Sequence, residues 1–295
     1  MKVLVSGASG FIGAPLVAAL RDRGDSVTRL TRSRASGDSI VWNPRAGELK
    51  ASDIAGFDAV IHLAGESIMG WWTQSKRARI RDSRVAATQL LARTLLSLPQ
   101  ERRPQTFISA SAIGYYGDRG NELLPEDAGR GSGWLPEMCE EWENASAPLA
   151  DAGLRVVWMR LGIVLDPSGG ALKQMLTPFK LGLGATLGPG YQWFSWISLR
   201  DLIAAFIYTL DQPTLSAAVN AVAPGAVTNK DFTKQLAAAV HRPAFLQAPA
   251  TLLNLLPGEM AEEALIASAR VVPANLEKAG FPFQDPGLTT VFNKL

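Results

Sequence analysis

Residues 7–13 read Gly7-Ala8-Ser9-Gly10-Phe11-Ile12-Gly13 and follow directly after a short apolar run, Lys2-Val3-Leu4-Val5-Ser6. The pattern behind this turn is amphipathic and predicts a helix over residues 11–23. A strand, a glycine-rich turn and a helix in this order are typical of the phosphate-binding unit of dinucleotide folds. Glycines there let the backbone bend, approach a pyrophosphate and pack helix against strand, while the helix N-terminus attracts the anion. An ordinary turn is the alternative, and the strand and helix around it favour nucleotide binding.

Composition narrows the class of protein. The chain has 295 residues, 47% of them hydrophobic, which is ample for a core, and no apolar run approaches the roughly twenty residues that span a bilayer. No signal-peptide pattern is visible, and a single cysteine, Cys139, fits a reducing compartment. A net charge of +2 is too small to indicate nucleic acid. We therefore expect a cytoplasmic protein that binds a small-molecule substrate and neither membrane nor nucleic acid.

The first part of the chain alternates predicted strands and helices. Apolar runs predict strands over residues 26–31, 59–64, 106–111 and 155–161, and helical periodicity predicts helices over 73–98 and 135–150. Apolar strands separated by helices indicate a parallel sheet that is covered on both faces. The predicted fold class is α/β, a Rossmann-type doubly wound parallel sheet, with its site at the carboxyl ends of the strands.

After residue 165 the pattern changes. Glycine-rich stretches and the aromatic residues Trp193, Phe194 and Trp196 indicate a lid over residues 166–200, and a helix (199–210), a strand (218–222) and another helix (229–240) follow. Core packing and a substrate-facing wall both remain open for the aromatic residues. We predict a main domain over residues 1–240, which includes the lid, and a small mixed C-terminal domain over 241–295.

The residues that end the second predicted strand bear on cofactor choice. NAD-binding proteins place an acidic residue about twenty positions beyond the glycine turn, where it accepts from ribose hydroxyls. This chain has Leu30-Thr31-Arg32-Ser33-Arg34 and no acid. A guanidinium at Arg32 suits a 2′-phosphate, and the Thr31 hydroxyl adds a bond. NADP(H) is therefore predicted over NAD, with a solvated basic turn as the alternative.

The third predicted strand runs into Leu63-Ala64-Gly65-Glu66. Small residues here allow the backbone to pass close to the adenosine side of a cofactor. Two interpretations of Glu66 stay open, a carboxylate that binds a hydroxyl and a plain loop carboxylate.

Several strings carry a resemblance to a known family. The glycine turn, Leu63-Ala64-Gly65 and Ser109-Ala110-Ser111 are similar to the extended short-chain dehydrogenase/reductases, the group that holds sugar-nucleotide epimerases. More specific strings resemble an atypical branch, the epimerase-family proteins with a small C-terminal domain of unknown function: Ser83-Arg84-Val85, Ser111-Ala112-Ile113-Gly114-Tyr115-Tyr116-Gly117, Pro178-Phe179-Lys180-Leu181-Gly182-Leu183-Gly184, Gln192-Trp193-Phe194-Ser195-Trp196-Ile197 and Asn220-Ala221-Val222-Ala223-Pro224. The resemblance covers nearly the whole chain.

The chain departs from this family where the family does its chemistry. Short-chain dehydrogenases use a Tyr with a Lys four residues later, which tunes the phenol and holds the nicotinamide ribose. Aligning on Glu143 puts Leu135 at the Tyr position and Cys139 at the Lys position. The family's Asn corresponds to Arg84, and its Ser is retained as Ser111. The atypical branch carries these substitutions, so the usual proton relay is predicted to be absent.

Three residues are candidates for a catalytic role, namely Ser111, Arg84 and Tyr115. Tyr115 and its neighbour Tyr116 follow the catalytic strand, and Arg84 is either an electrophile or a plain helix-surface charge. Ser111 either takes part in catalysis or bonds the cofactor. Cys139 reads better as a buried apolar residue than as a nucleophile.

The cofactor site is predicted from the turn and the resemblance together. It comprises Gly7, Ser9, Gly10, Phe11, Ile12, Gly13, Thr31, Arg32, Leu63, Ala64, Gly65, Glu66, Arg84, Ser109, Arg160, Gly162 and Ile163. The only histidines are His62 and His241, which leaves no His-based metal cluster, and no nucleophile elbow supports a hydrolase.

Two hypotheses follow. The first is an NADP(H)-dependent oxidoreductase or epimerase-like enzyme on a small carbonyl or hydroxyl substrate. The second is a catalytically silent NADP(H)-binding protein that acts as a redox sensor or partner-binding module. The substrate and the oligomeric state are left open by the sequence.

Overall fold

A seven-stranded parallel sheet organises the protein, whose computed structural model describes residues 1–33, 37–244, 246–248 and 258–295. Its strands, in the spatial order β12-β7-β5-β4-β1-β2-β3, are β1 (Lys2–Ser6), β2 (Ser26–Thr31), β3 (Ser39–Val41), β4 (Ala59–His62), β5 (Thr106–Ala112), β7 (Arg155–Leu161) and β12 (Ala217–Ala221). Every pairing between neighbours in this sheet is parallel. The predicted Rossmann-type fold is therefore confirmed.

The order of the strands reverses at β1. The chain moves outward from β1 to β2 and β3, then crosses back to place β4 on the other side of β1. A crevice forms outside the carboxyl ends of the strands at such a switch point, and ligands of open α/β sheets bind there. The glycine turn follows β1, so it lies at this crevice.

Helices cover both faces of the sheet. They are α1 (Gly13–Asp22), α2 (Gln74–Leu96), α3 (Trp134–Asn144), α4 (Ala147–Asp151), α5 (Gly170–Lys180), α6 (Leu199–Asp211), α7 (Asn229–Ala239), α8 (Gly258–Ala261), α9 (Ala274–Lys278) and α10 (Leu288–Phe292). Leu16 of α1 and Phe206 of α6 belong to one buried cluster against the sheet, and Leu91 of α2 belongs to the cluster on the other face. Apolar surface on both faces explains why all four residues of β4 are buried.

Short strand pairs build the remainder around the carboxyl edge of the sheet. They are β8 (Ile163–Asp166) with β11 (Trp196–Ser198), β10 (Trp193–Phe194) with β13 (Val227–Thr228), β9 (Ala185–Leu187) with β14 (Leu246–Ala248), and β6 (Leu123–Leu124) with β15 (Arg270–Val271). Phe194 and Trp196 are buried in a cluster with Phe232 and Phe292, so these two aromatic residues serve as core. Within the described ranges, no helix is both long and apolar enough to cross a membrane.

Three differences from the sequence predictions concern the main sheet and the helices beside it. The short edge strand β3 was not predicted. The predicted helix over 135–150 is two helices, because Pro148 in the first turn of α4 lacks the N–H that a continuous helix needs. The strand predicted to end at Ala64 ends at His62. The Leu63 amide is shared between the carbonyl and the hydroxyl of Ser6, at 3.3 and 3.1 Å, and the Ala64 amide donates to the hydroxyl at 3.3 Å.

Candidate cofactor and active site

The glycine turn is too crowded for side chains at two of its glycines. Gly7 has a φ of +68°, and a Cβ added to it would lie 2.7 Å from the carbonyl carbon of Leu63. A Cβ on Gly13 would lie 2.1 Å from the carbonyl oxygen of Gly7. The Gly10 amide closes the turn by donating to the same oxygen, at 3.0 Å. Glycine is thus required for the backbone path that the sequence predicted.

The first turn of α1 offers its amide end to a ligand. Ile12 precedes the helix without a side-chain cap, and no acidic residue lies in the first turn. Ser9 and Gly10 are exposed, whereas the ring of Phe11 packs against the lid: a Cβ on Gly169 would lie 2.5 Å from that ring. An uncapped helix N-terminus behind an open glycine turn is a site for an anion such as a phosphate.

A buried hydrogen bond connects the turn to the neighbouring loop. The Ser6 hydroxyl accepts from two backbone amides, as described above, so it donates its own proton to Nδ1 of His62, at 2.6 Å. Burial and the nearby charge of Arg84 lower the pKa of His62 to about 3, and the ring is therefore neutral. This bond holds Leu63 and Ala64 at the close distance from Gly7 that the turn requires.

The candidate residues at the end of β2 face outward. Thr31 donates its hydroxyl to the carbonyl of Ser33, at 2.7 Å, and Arg32 is exposed. Within the described ranges the Arg32 side chain has no hydrogen bond or ion pair. Arg34 lies outside the described residues.

Glu66 is occupied by helix α2. Its carboxylate accepts hydrogen bonds from Nζ of Lys76 at 2.9 Å and from Nε of Arg79 at 3.1 Å, and both contacts are ion pairs. The hydrogen bond from Lys76 is the main cause that lowers the pKa of Glu66. The geometry therefore adds a third interpretation to the two left open by the sequence: Glu66 forms ion pairs that fix its loop on α2.

Arg84 lies under the same loop. Its guanidinium donates to the Glu66 carbonyl at 2.9 Å and lies over the Trp142 ring, 5.2 Å from its centroid. A Cβ on Gly65 would come within 3.2 Å of the Arg84 Cζ, so Gly65 makes room for it. Burial lowers the pKa of Arg84. Arg84 is therefore half-buried beside the predicted cofactor loop rather than a plain surface charge.

Ser111 belongs to a buried polar network. Its hydroxyl donates to Oε1 of Glu143 at 2.6 Å, and the Arg160 guanidinium binds both oxygens of that carboxylate at 2.9 Å. Arg160 also donates to the hydroxyl of Tyr116 at 2.9 Å, which donates in turn to Asn220 at 2.8 Å. Ser111, Glu143, Arg160, Tyr116 and Asn220, all less than one-tenth exposed, form what we call the Arg160 network.

Charges and burial shape this network. Glu143 raises the pKa of Arg160 against the opposing effect of burial, and burial raises the pKa of Tyr116 to about 12. The Arg160 guanidinium also lies 3.6 Å from the centroid of the Tyr115 ring. Arg160, predicted at the cofactor, thus has its side chain committed to Glu143 and to two tyrosines.

The other predicted residues lie at the same edge of the sheet. Ser109 is buried and donates to the carbonyl of Ala110 at 3.0 Å. The amides of Gly162 and Ile163 are bonded to the carbonyls of Ala221 and Ser195, both at 3.0 Å. These amides therefore hold the backbone after β7 in place.

Comparison with known proteins decides the family. Residues 3–222 match the NAD dependent epimerase/dehydratase family, and residues 248–295 match a domain of unknown function, DUF1731. The chain belongs to the NAD dependent epimerase/dehydratase family. An epimerase family protein of Mycobacterium bovis is 39% identical over 283 residues, which cover 95% of this chain and 93% of that protein. The resemblance to epimerase-family proteins with a small C-terminal domain is thereby confirmed.

Two solved structures are similar over nearly the whole chain. Human epimerase family protein SDR39U1 (isoform 2) with NADPH has a TM-score of 0.92 and 30% identity, covering 100% of this chain and 98% of that one. A nucleoside-diphosphate sugar epimerase from Corynebacterium glutamicum has a TM-score of 0.83 and 34% identity, covering 99% of this chain and 57% of that one.

In this epimerase-family chain, the two positions aligned with Tyr and Lys are apolar and buried. Leu135 is 5% exposed and Cys139 is fully buried, both in a cluster with Trp72, Ile80 and Met138. A Cβ on Gly114 would lie 2.7 Å from Leu135, so this leucine packs on the turn after β5. Burial raises the pKa of the Cys139 thiol to about 12. The thiol is therefore protonated and unsuited to act as a nucleophile.

Several residues of this edge were missed by sequence reasoning. Ser6 and His62 precede the two predicted loops, and only the polar character of two residues inside apolar strands signals them. Tyr116 was noted only as the neighbour of Tyr115, and Glu143 only as an alignment anchor. With Asn220 they come from three different elements, and no spacing in the sequence connects them as one network. Residues with metal-binding side chains form no group of three or more within the described part of the chain.

The neutral state of His62 makes a pH prediction. In the unfolded chain the ring takes its ordinary pKa of 6.5, while in the folded protein the pKa is about 3. Between these values the unfolded state binds more protons, so stability falls as pH falls. We expect the unfolding free energy to be about 1.4 kcal/mol lower at about pH 5.5 than at about pH 7.5, because the His62 ring is protonated in the unfolded chain and not in the folded protein. Urea unfolding at both pH values measures it.

His62→Asn is the control, because its Oδ1 accepts from Ser6 but does not titrate. The difference between the proteins should shrink toward low pH by that amount. Parallel pH profiles would contradict the assignment.

Proposed function

We propose that this chain binds NADP(H) at the crevice between β1 and β4. The observation that carries the proposal is the glycine turn. A Cβ at Gly7 or Gly13 would collide with neighbouring backbone atoms, and the N-terminus of α1 behind the turn has no side-chain cap. The human relative described with NADPH shares this fold over the whole chain. The residues present therefore fit a dinucleotide. When bound, it would supply or accept a hydride at its nicotinamide.

Each part of the dinucleotide has residues suited to it. The glycine turn (residues 7–13) would hold the pyrophosphate on backbone amides. Thr31 and Arg32 would take the 2′-phosphate, and residues 63–66 would line the adenosine side. Arg84 supports that loop from below through the Glu66 carbonyl and Gly65. Ser109, Gly162 and Ile163 would border the nicotinamide side, and Arg160 would support it through its network.

Substituting one glycine tests the turn. In Gly13→Ala the new Cβ would meet the Gly7 carbonyl oxygen, at 2.1 Å, and displace the backbone that faces the phosphates. We expect NADPH affinity to fall by more than about a hundredfold, because pyrophosphate recognition here is mostly backbone geometry. Isothermal titration calorimetry measures it.

The matched control is Gly129→Ala, where nothing lies within 4 Å of the added Cβ. This variant should bind NADPH as the wild type does. Wild-type affinity in Gly13→Ala, with circular dichroism showing a folded protein, would place the cofactor elsewhere.

Removing one guanidinium tests the choice of NADP(H). In Arg32→Ala the 2′-phosphate loses a charged, fork-shaped donor, so we expect NADPH affinity to fall about tenfold with NADH affinity unchanged. Titration calorimetry with both cofactors, and with exposed Arg45→Ala as control, gives the ratio. An unchanged NADPH/NADH preference would mean that Arg32 does not read the 2′-phosphate.

For the reaction, we propose an NADP(H)-dependent oxidoreductase or epimerase-like activity on a small carbonyl or hydroxyl substrate. Ser111, Arg84 and Tyr115 would face the reacting carbon. The Ser111 proton is committed to Glu143, which leaves the lone pairs of Oγ to accept from a substrate hydroxyl. Arg84 would place positive charge near a developing oxyanion. The single cysteine and the small-molecule site agree with a cytoplasmic enzyme.

A second function is supported by a different observation. The positions aligned with Tyr and Lys are apolar and buried, which removes the family's proton relay from α3. A catalytically silent NADP(H)-binding module, acting as a redox sensor or partner-binding protein, needs no such relay.

Turnover separates the two functions. Purified protein with NADPH is mixed with a panel of aldehydes, ketones and sugars, and loss of absorbance near 340 nm is followed. If the protein is an enzyme, at least one compound oxidises NADPH, and the rate falls at least about tenfold in Ser111→Ala or Tyr115→Phe with NADPH affinity retained. Arg84→Ala should lower the rate as well, but it also removes the support of the 63–66 loop. Tight NADPH binding without oxidation by any compound would favour the module.

A further inference from the structure

The C-terminal domain reaches back over the substrate side of the proposed site. Its helix α8 continues into a π-helical turn, Glu262–Ile266, and we call residues 258–266 the strap. The strap lies on α2 and α3, the helices that carry Arg84 and the positions aligned with Tyr and Lys. π-helical turns are rare and occur frequently at functional sites.

Three side chains fasten the strap. Glu259 forms an ion pair with Arg77 of α2, whose guanidinium also lies over the Trp134 ring, 5.4 Å from its centroid. Met260, 1% exposed, packs in the cluster of Leu135 and Cys139. The third side chain, Glu263, binds the start of α3.

The carboxylate of Glu263 caps α3. It accepts from the amides of Trp134 and Leu135, at 3.2 and 2.6 Å. These amides lie in the first turn of the helix, where no intrahelical carbonyl is available to them. Gly133, with a φ of +122°, makes room, since a Cβ there would lie 3.0 Å from Glu263. The C-terminal domain therefore caps the N-terminus of α3, the helix that carries the positions aligned with Tyr and Lys.

The strap packs on the hydrophobic cluster that borders one of the residues proposed for the reaction. Ala264 and Leu265 pack against the same cluster as Ala112 and Tyr115, which lie at the carboxyl end of β5. With Met260 in place, Leu135 and Cys139 are shielded from solvent. Tyr115 and the strap are therefore neighbours of one cluster, which also holds the positions aligned with Tyr and Lys.

The strap is fastened weakly compared with the sheet beneath it. It contributes no strand to any sheet, and its own helical turns are four and five residues long. One of its contacts is a partly exposed ion pair, with side chains 29% and 57% exposed, which contributes little to stability. Segments of this kind open locally without unfolding the domain.

We infer that the strap is a gate, which closes the substrate side of the site by docking Glu259, Met260 and Glu263 on α2 and α3, and which lifts to admit a substrate. The role in substrate entry rests on the proposed function. The opening itself is a property of the chain and is measured without any cofactor.

Hydrogen exchange of the wild-type protein tests the opening. We expect amides of the strap to exchange faster than those of β5 and with a weaker dependence on urea, because lifting exposes little surface. The amides of Trp134 and Leu135 should exchange together with the strap, since Glu263 is their acceptor. Exchange of the strap only at the rate and urea dependence of β5 would overturn the inference.

A double variant tests the fastening. In Arg77→Ala/Glu263→Ala we expect exchange of the strap and of both capped amides to rise about tenfold, the effect of losing one surface ion pair and one helix-end charge. Cys139, the single cysteine of the chain, should react with N-ethylmaleimide faster in the same proportion.

The matched control is Arg81→Ala. It removes an ion pair that also joins α2 to α3, Arg81 with Glu141 at 2.5 Å, but does not touch the strap. The control should exchange and react as the wild type does. Equal rates in the double variant and the control would overturn the inference, and the wild-type measurement stands by itself if the double variant does not fold.

This outcome is separate from that of the proposed function. If the strap opens but the protein does not bind NADPH, the local opening of the strap is supported and the cofactor assignment is wrong. NADPH binding with a strap that opens only on global unfolding would do the reverse.

Discussion

A buried ion pair between Arg160 and Glu143 is the constraint on which the carboxyl edge of the sheet depends. The two side chains are 5% and 6% exposed, so neither charge is solvated by bulk water. Removing charges from water is costly, and such a pair is stable only when further hydrogen bonds satisfy the remaining donors and acceptors. Here Ser111 occupies one carboxylate oxygen, while Tyr116 and the Glu126 carbonyl take the remaining guanidinium donor. The polar residues at this edge therefore form one unit.

This unit joins elements that are far apart in the sequence. Arg160 lies on β7, Ser111 on its neighbour β5 directly opposite, Glu143 on α3 and Asn220 on β12. The Ser6–His62 bond does the corresponding work at the other end of the crevice, where it joins β1 to β4. Between them, the two sets of hydrogen bonds fix the backbone on both sides of the switch point. The loops of the crevice are consequently held before any ligand arrives, which lowers the entropy lost on binding.

Local features of this fold were predictable from the sequence, and the long-range ones were not. The glycine spacing, the apolar strands and the absence of an acid after β2 are properties of neighbouring residues, and they gave the sheet, the turn and the cofactor hypothesis. The Arg160 network depends on the order of the strands in the sheet and on which face of α3 points toward them. The spacing of residues along the sequence shows neither. Glu66 shows the same limit. Its position next to Gly65 left a ligand-binding carboxylate and a plain loop carboxylate open, because the partners that bind it, Lys76 and Arg79, come from the following helix.

The apolar character of the Tyr and Lys positions follows from what surrounds them. Position 139 lies one turn before Glu143 on α3, and it feels the charges of Arg84, Arg160 and Glu143. A lysine there would add a third positive charge and compete with Arg160 for the same carboxylate. It would also place that charge against Ile80, Met138 and Met260, where no water solvates it. The buried ion pair, the absence of a lysine at position 139 and the docking of Met260 are therefore one mutually consistent arrangement. Introducing Tyr at position 135 and Lys at position 139 alone would disrupt this arrangement, because Arg160 already supplies the positive charge that pairs with Glu143.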